Sequence, residues 1–318
     1  MSLSVHQLEP PTMHSDGELI SHGDTGQDDA LLLESIRSRL RAAGDAPGTT
    51  VEQALSLVEV LASFDLGRFL LRHRGLNAYW THQLVTYQAG MLPVNETNRL
   101  ERQTFEHLPA TLATRERFGI FREQLQALMR PGITAASVPC GLMGELLLLD
   151  YSGLPDVSLI GVDLDPAALS HARALAETRQ LADRVSLHCK NAWALNMPAS
   201  ADILTSNGLN IYEPDDERVV LLYRSFFETL RPGGTLVTSF MTPPPSLSAA
   251  SPWNMCAVDP EMLALQALLF VRIIEAKWQA FRTYEQTREQ LQRAGFMNIR
   301  FIDDEARMFP TVVAQRAA

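Results

Sequence analysis

The sequence predicts an α/β chain: a seven-stranded, mostly parallel sheet that closes with an antiparallel strand pair and follows a helical N-terminal segment. Three observations predict it. From Ile133 onward short apolar runs alternate with helical stretches, at Ile133 to Val138, Val157 to Val162, Val185 to Cys189, Ile203 to Ser206 and Thr235 to Phe240. That is the order of parallel strands joined by helical crossovers. Two late runs, residues 295–302 and 310–314, are separated only by a polar loop too short for a crossover helix, so they should lie antiparallel to each other. Between Leu31 and Met129, by contrast, apolar residues recur at helical spacing, as in Leu31, Leu32, Ile36, Leu40 and again in Phe118, Phe121, Leu125, Leu128.

Each part can be justified in chain order. Residues 1–28 are polar and broken by Pro10, Pro11, Gly17, Gly23 and Gly26, and are expected to be a flexible segment with no fold of their own. Residues 29–130 form the helical unit, divided by Gly44, Gly48, Gly67, Gly75, Gly90 and Pro93. Residues 131–318 carry the sheet. Asp165-Pro166 and Asp259-Pro260 both read as a helix cap followed by proline at the first helical position. Arg231-Pro232-Gly233-Gly234 reads as a helix stop and a turn into the next strand. Thr242 to Pro252 is a proline-stiffened loop.

Composition bounds the partners. With 37 acidic against 27 basic residues the net charge is −10, so polyanions are repelled and nucleic acid is an unfavoured partner. The densest basic patch, Arg68, Arg72, His73 and Arg74, reads as a solvated helix face. Cys140, Cys189 and Cys256 lie far apart, with neither disulfide nor zinc spacing, so no metal is expected and a reducing compartment fits. No apolar run approaches the ~20 residues of a membrane span, and the acidic N-terminus lacks the basic and apolar regions of a secretion signal. A cytoplasmic protein is the expectation, with a homodimer as one assembly the sequence allows.

The most informative stretch is the apolar run Ala135-Ala136-Ser137-Val138 and the turn Pro139-Cys140-Gly141-Leu142-Met143-Gly144. A helix-like stretch and a second apolar run, Leu159 to Val162, then end in Asp163. Strand, turn, helix, strand and carboxylate make a nucleotide-binding βαβ layout, with the acid about twenty residues after Gly141 to accept from ribose hydroxyls. Asp165 reads better as a helix cap, and Cys140 as packing or a backbone contributor.

With these segments in order, residues 131 to 318 resemble a class I S-adenosylmethionine-dependent methyltransferase of Rossmann-like fold. The resemblance rests on Val138-Pro139-Cys140-Gly141, on Gly161-Val162-Asp163-Leu164-Asp165-Pro166 and on Lys190-Asn191-Ala192. It rests further on Ala201 to Asn210, Phe227 to Leu236 and Gln292-Arg293-Ala294-Gly295-Phe296. It implies S-adenosylmethionine as cofactor, held by Ser137, Pro139, Cys140, Gly141, Asp163, Leu164, Asn191, Ala192, Asn207 and Gly208. The first motif departs from the family: Ser137 stands in the acid position, Pro139 in the first glycine position and Met143 in the last. Proline has no N–H and cannot take a positive φ, so the turn must either hold the cofactor less tightly or draw the missing charge from elsewhere.

Methyl transfer from a sulfonium chiefly requires alignment and exclusion of water, and needs a base only for an acceptor of high pKa. Asn207, Asn210, Tyr212 and Glu213 follow the fourth strand, where the methyl should lie. They would orient an acceptor, with Tyr212 or Glu213 taking a proton, or else only structure the loop. In similar methyltransferases an N-terminal helical extension folds over the site as a lid. Tyr79, Trp80 and His82 are candidates for its contribution, His82 as a base or as a structural histidine. Arg115 and Arg117 are candidates to clamp the cofactor carboxylate or an acidic acceptor, or are surface arginines; Trp253, with Asn254, is a further wall candidate. Ser206-Asn207-Gly208-Leu209 is not the tetrad of nucleobase or glutamine methylases. The reading is methylation of a small or medium-sized molecule enclosed by the cap. The alternatives are a macromolecular acceptor, protein or RNA, and a non-catalytic cofactor-binding relative. A nicotinamide-dependent dehydrogenase fits less well, because the turn lacks GxGxxG.

Overall fold

The computed structural model describes residues 19–20, 28–93 and 98–318. Six helices precede the sheet: α1 (Asp29–Ala43), α2 (Val51–Ala62), α3 (Asp65–His73), α4 (Ala78–Thr86), α5 (Arg99–Glu106) and α6 (Pro109–Leu128). Their starts are fixed by local side chains. Asp28, Asn77 and Asn98 accept from backbone amides of the first turns of α1, α4 and α5, and Thr50 with Gln53 forms a reciprocal capping box on α2. α6 begins on Pro109, whose missing N–H costs nothing at that position.

Seven strands follow: β1 (Thr134–Ser137), β2 (Ser158–Asp163), β3 (Val185–Cys189), β4 (Ala201–Ser206), β5 (Leu230–Ser239), β6 (Met297–Ile302) and β7 (Thr311–Gln315). Their order across the sheet is β3-β2-β1-β4-β5-β7-β6. β1 to β5 are parallel, and β7 runs antiparallel to both β5 and β6. The order reverses at β1, which lies between β2 and β4, and such a switch point opens a crevice at the carboxyl ends of the strands. The register aligns those ends, with Ser137 opposite Gly161 and Thr205, and Asp163 opposite Cys189.

Crossover helices α7 (Gly144–Leu147), α8 (Pro166–Thr178) and α9 (Asp216–Thr229), with α10 (Pro260–Ala267) and α11 (Tyr284–Arg293), complete the chain. One face of the sheet packs against α9 and α11 through Val219, Leu222, Tyr223, Phe226 and Leu291. The other packs against α6, α7 and α8 through Phe121, Leu125, Leu146, Ala172 and Ala176. Helix α6 thus belongs to both the sheet and the helical layer.

Three features differ from the sequence reading. The helix after the first turn is a single turn, α7, because Leu146, Leu147 and Leu149 all go into the core and leave no solvated face to continue an amphipathic helix. Residues 230–234 are not a separate turn: Leu230 already pairs with Ala201, the register slips before Ile203 pairs with Thr235, and Gly233 takes a φ of 76° in the excursion between them. The helical layer is also not wholly N-terminal. After β5 the chain returns through α10 and a π-helical turn, Leu268–Ile273, whose Leu269, Ile273 and Ile274 enter the same core as Leu40, Val58, Leu61 and Leu70. The Arg39 guanidinium locks this insertion by donating to the carbonyls of Arg272 (2.8 Å) and Ile273 (2.6 Å).

Candidate functional site

The carboxyl end of β1 leads into a turn built without glycine at its first position. The Val138–Pro139 peptide is cis, and the left-handed backbone falls instead on Gly141 (φ 51°) and Met143 (φ 61°). The turn is tied to the neighbouring strand by Cys140 N–H donating to Val162 O (2.8 Å) and Gly141 N–H donating to the Asp163 carboxylate (2.8 Å). The second Asp163 oxygen accepts from Asp165 N–H (3.0 Å). Burial pushes the Asp163 carboxyl up, and these two amides pull the other way. Asp165 is the cap of α8, accepting from Ala167 N–H, and also lines the cavity described next.

This turn forms one side of a cavity of about 270 Å³. Of the residues expected to hold the cofactor, Pro139, Cys140, Gly141, Asp163, Leu164, Asn191, Ala192, Asn207 and Gly208 line it. Asn191 caps a short 3-10 turn, its side-chain oxygen accepting from Trp193 N–H (2.9 Å). Asn207 leaves its side-chain oxygen buried without a partner, the arrangement of a group awaiting a ligand donor. Ser137 is fully buried beneath the cavity. Its hydroxyl donates a very short hydrogen bond to Glu145, eight residues further on in α7, and Glu145 does line the cavity. The carboxylate missing from position 137 is thus returned to the same spot from α7. Burial raises the Glu145 carboxyl to about 7, against the pull of the Ser137 hydroxyl.

The opposite side comes from the helices. On α4, Ala78, Thr81, His82 and Val85 face the cavity, the spacing of one helical face. Gly144 lets His82 sit directly on the turn, since a Cβ there would lie 2.8 Å from His82 Nδ1. Burial lowers the His82 pKa and favours the neutral ring. On α6, Ala110, Thr111, Thr114, Arg117 and Phe118 face the cavity at the same period. Tyr212, just after β4, also faces it, and burial raises its phenol, so the hydroxyl stays protonated. Phe270 and Trp278, from the insertion after β5, and Phe309 complete this end, and Leu19 and Ile20 reach the same cavity. The remainder of the segment expected to be flexible, residues 1–18 and 21–27, lies outside the described residues.

Tyr79, Trp80, Asn210, Glu213, Trp253, Asn254 and Ser137 do not line the cavity. Tyr79 and Trp80 sit on the other faces of α4, Tyr79 40% exposed and stacked edge-on against Trp80. The Asn210 amide donates to Tyr223 Oη (3.0 Å), and its backbone oxygen accepts from Arg282. The Glu213 carboxylate is taken by Arg218 (2.8 Å) and by Asp215 N–H (3.0 Å). The Trp253 indole donates to Thr242 and packs under Met241 and Phe309. Ser137 acts only through Glu145. Arg115 is likewise absent, its guanidinium donating to the carbonyls of Leu84 and Phe105.

This donor set suits a ligand with an adenosine at one end and an amino acid at the other: a carboxylate at the end of β2, an amide after β3, a second carboxylate under the first turn and an orphaned oxygen after β4. The comparison with known proteins decides among such ligands. Residues 138–234 match the methyltransferase-domain family. Residues 138–234 thus form a methyltransferase domain, and the fold is that of the class I S-adenosylmethionine-dependent methyltransferases. S-adenosylmethionine is their cofactor. The solved structure of a possible exported protein from Bordetella parapertussis is 52% identical, covers 92% of this chain and 98% of its own, and superposes with a TM-score of 0.88. The apo structure of the S-adenosylmethionine-dependent methyltransferase SibL shares the fold at 16% identity, covering 70% of this chain and 60% of its own, with a TM-score of 0.51. No curated protein sequence matches the chain.

Proposed function

We propose that this methyltransferase transfers a methyl group from S-adenosylmethionine to a small or medium-sized acceptor, and that the helical layer of residues 29–130 acts as its cap. One observation carries the reading. A single cavity, partly open to solvent, is lined at one end by the cofactor-type turn and at the other by α4, α6 and the insertion after β5, so cofactor and acceptor would share one space. In this reading Asp163 accepts from the ribose, Asn191 and Ala192 meet the adenine, and Glu145 faces the ammonium group.

When bound, the cofactor supplies an electrophilic methyl on a sulfonium, with charge dispersing as the methyl moves. The chain's own task is then alignment and dryness. Asn207 and Gly208 border the transfer point, and Phe118, Phe270 and Phe309 exclude water around it. Neutral His82 is the group able to take a proton where an acceptor has one to lose; Tyr212, kept protonated, orients the acceptor as a donor. Against a macromolecular acceptor stand the acidic net charge of −10 and the apolar lining. Among the described residues no helix is long and apolar enough to cross a membrane, and Cys140, Cys189 and Cys256 are all free. We read the compartment as the cytoplasm, a reducing space.

Transfer from methyl-tritiated S-adenosylmethionine into a fractionated cell extract tests this reading. Label should appear in the small-molecule fraction and depend on the protein. Label confined to protein or RNA would overturn the enclosed-acceptor reading, and none in any fraction would favour a binding relative without activity.

A further inference from the structure

Arg117 places a buried positive charge at the cavity, and no carboxylate among the described residues forms an ion pair with it. Arg117 on α6 is 4% exposed. Its Nη1 makes one long hydrogen bond to Ser239 Oγ (3.3 Å), its guanidinium lies 4.9 Å from the centre of the Phe309 ring, and its Nε has no partner. The buried Asp304 carboxylate attracts Arg117 without forming an ion pair, and is itself held by the amides of Met308 (3.1 Å) and Phe309 (2.7 Å). The other arginine at the cavity, Arg218, is paired with Glu213. Arg117 borders the transfer point itself, since a Cβ on Gly208 would lie 3.4 Å from Arg117 Nη1. Burial lowers its pKa to about 10, so it remains charged at neutral pH. An unpaired buried charge is costly, and a methionine of similar length would fill the space at less cost.

We propose that Arg117 is the recognition site for an anionic group of the acceptor, and that the acceptor class is a small organic acid with a carboxylate on an otherwise apolar body. This rests on the methyl-transfer reading and narrows its substrate. The planar guanidinium matches a carboxylate with two parallel donors. Around it Thr111 and Tyr212 add hydroxyls, while Leu66, Leu70, Val85 and Phe270 supply the apolar surface for the rest of the molecule.

A carboxylate also exists on the cofactor's methionine end, and the experiment must separate the two sources. Benzoate and octanoate, and the matching primary amides benzamide and octanamide, are titrated calorimetrically into the protein saturated with S-adenosylhomocysteine. The acids should bind at least about tenfold more tightly than the amides. Arg117→Met should abolish that preference, Arg117→Lys should restore part of it, and S-adenosylhomocysteine affinity should stay unchanged in both variants. Acids binding no better than amides would overturn the proposal. Loss of S-adenosylhomocysteine affinity in Arg117→Met would overturn it too, by assigning the guanidinium to the cofactor's carboxylate. If Arg117→Met does not fold, the acid–amide comparison on the unaltered protein decides alone. Failure of the unaltered protein to bind S-adenosylhomocysteine would instead strike at the methyl-transfer reading.

Discussion

Glu145 gives the first turn its unusual chemistry. Family logic puts a carboxylate at the end of β1, and Ser137 there supplies none; the α7 carboxylate, bonded to that serine, restores the group with a different backbone attachment. Its carboxyl is held at about 7 in the fold against an ordinary 4.5. The folded chain therefore keeps a proton that the unfolded chain has lost, and stability should fall as pH rises from about 4.5 to about 7. The loss should be on the order of 3 kcal/mol at about 1.4 kcal/mol per pH unit. Urea unfolding across that window should show the slope, and Glu145→Gln should flatten it; an unchanged slope in the variant would assign the proton to another group. Sequence alone could locate the deficit at Ser137 and not its remedy, because eight residues of spacing do not reveal that a one-turn helix folds back onto the strand. Arg117 was legible as a candidate by position, but its burial without a carboxylate partner is a property of packing.

At the scale of elements, the place and order of every strand were legible, because short runs bounded by turn residues leave few alternatives, although β5 begins at Leu230 within the segment expected as a turn. The helices' inward faces were less so. Tyr79 and Trp80 drew attention by residue type, yet the period of α4 puts Ala78, Thr81, His82 and Val85 on the cavity face instead. The insertion after β5 was only partly visible: Asp259-Pro260 marks the start of α10, but not how far the helical segment runs or where it packs. Leu263, Leu265, Leu268, Leu269, Phe270, Ile273 and Ile274 lie all round that segment, and its π-helical turn shifts the phase, so no single apolar stripe marks a helix. Its contribution can be measured. Ile273 is fully buried among helices of the N-terminal layer, and Ile273→Ala should destabilise the protein by about 2–5 kcal/mol in chemical denaturation. A loss under 1 kcal/mol would show that the insertion is a loosely attached flap.

For the molecule as a whole, a sheet whose switch point opens a crevice meets a helical layer, and residues of both line one cavity. The sheet half of that cavity follows from motif order, since Asp163 ends β2 and Asn191, Asn207 and Gly208 sit just beyond the ends of β3 and β4. The helical half depends on long-range packing among α4, α6 and the return after β5, which no local pattern in the sequence encodes. Everything proposed for the acceptor presupposes that the sheet half holds the cofactor. The most direct test is calorimetric titration of S-adenosylhomocysteine into the unaltered protein and into Asp163→Ala. Saturable binding at one site per chain is expected, weakened by roughly 1–3 kcal/mol in the variant through loss of charge-assisted hydrogen bonds. No binding to the unaltered protein, or equal affinity in a folded Asp163→Ala variant, would contradict the account.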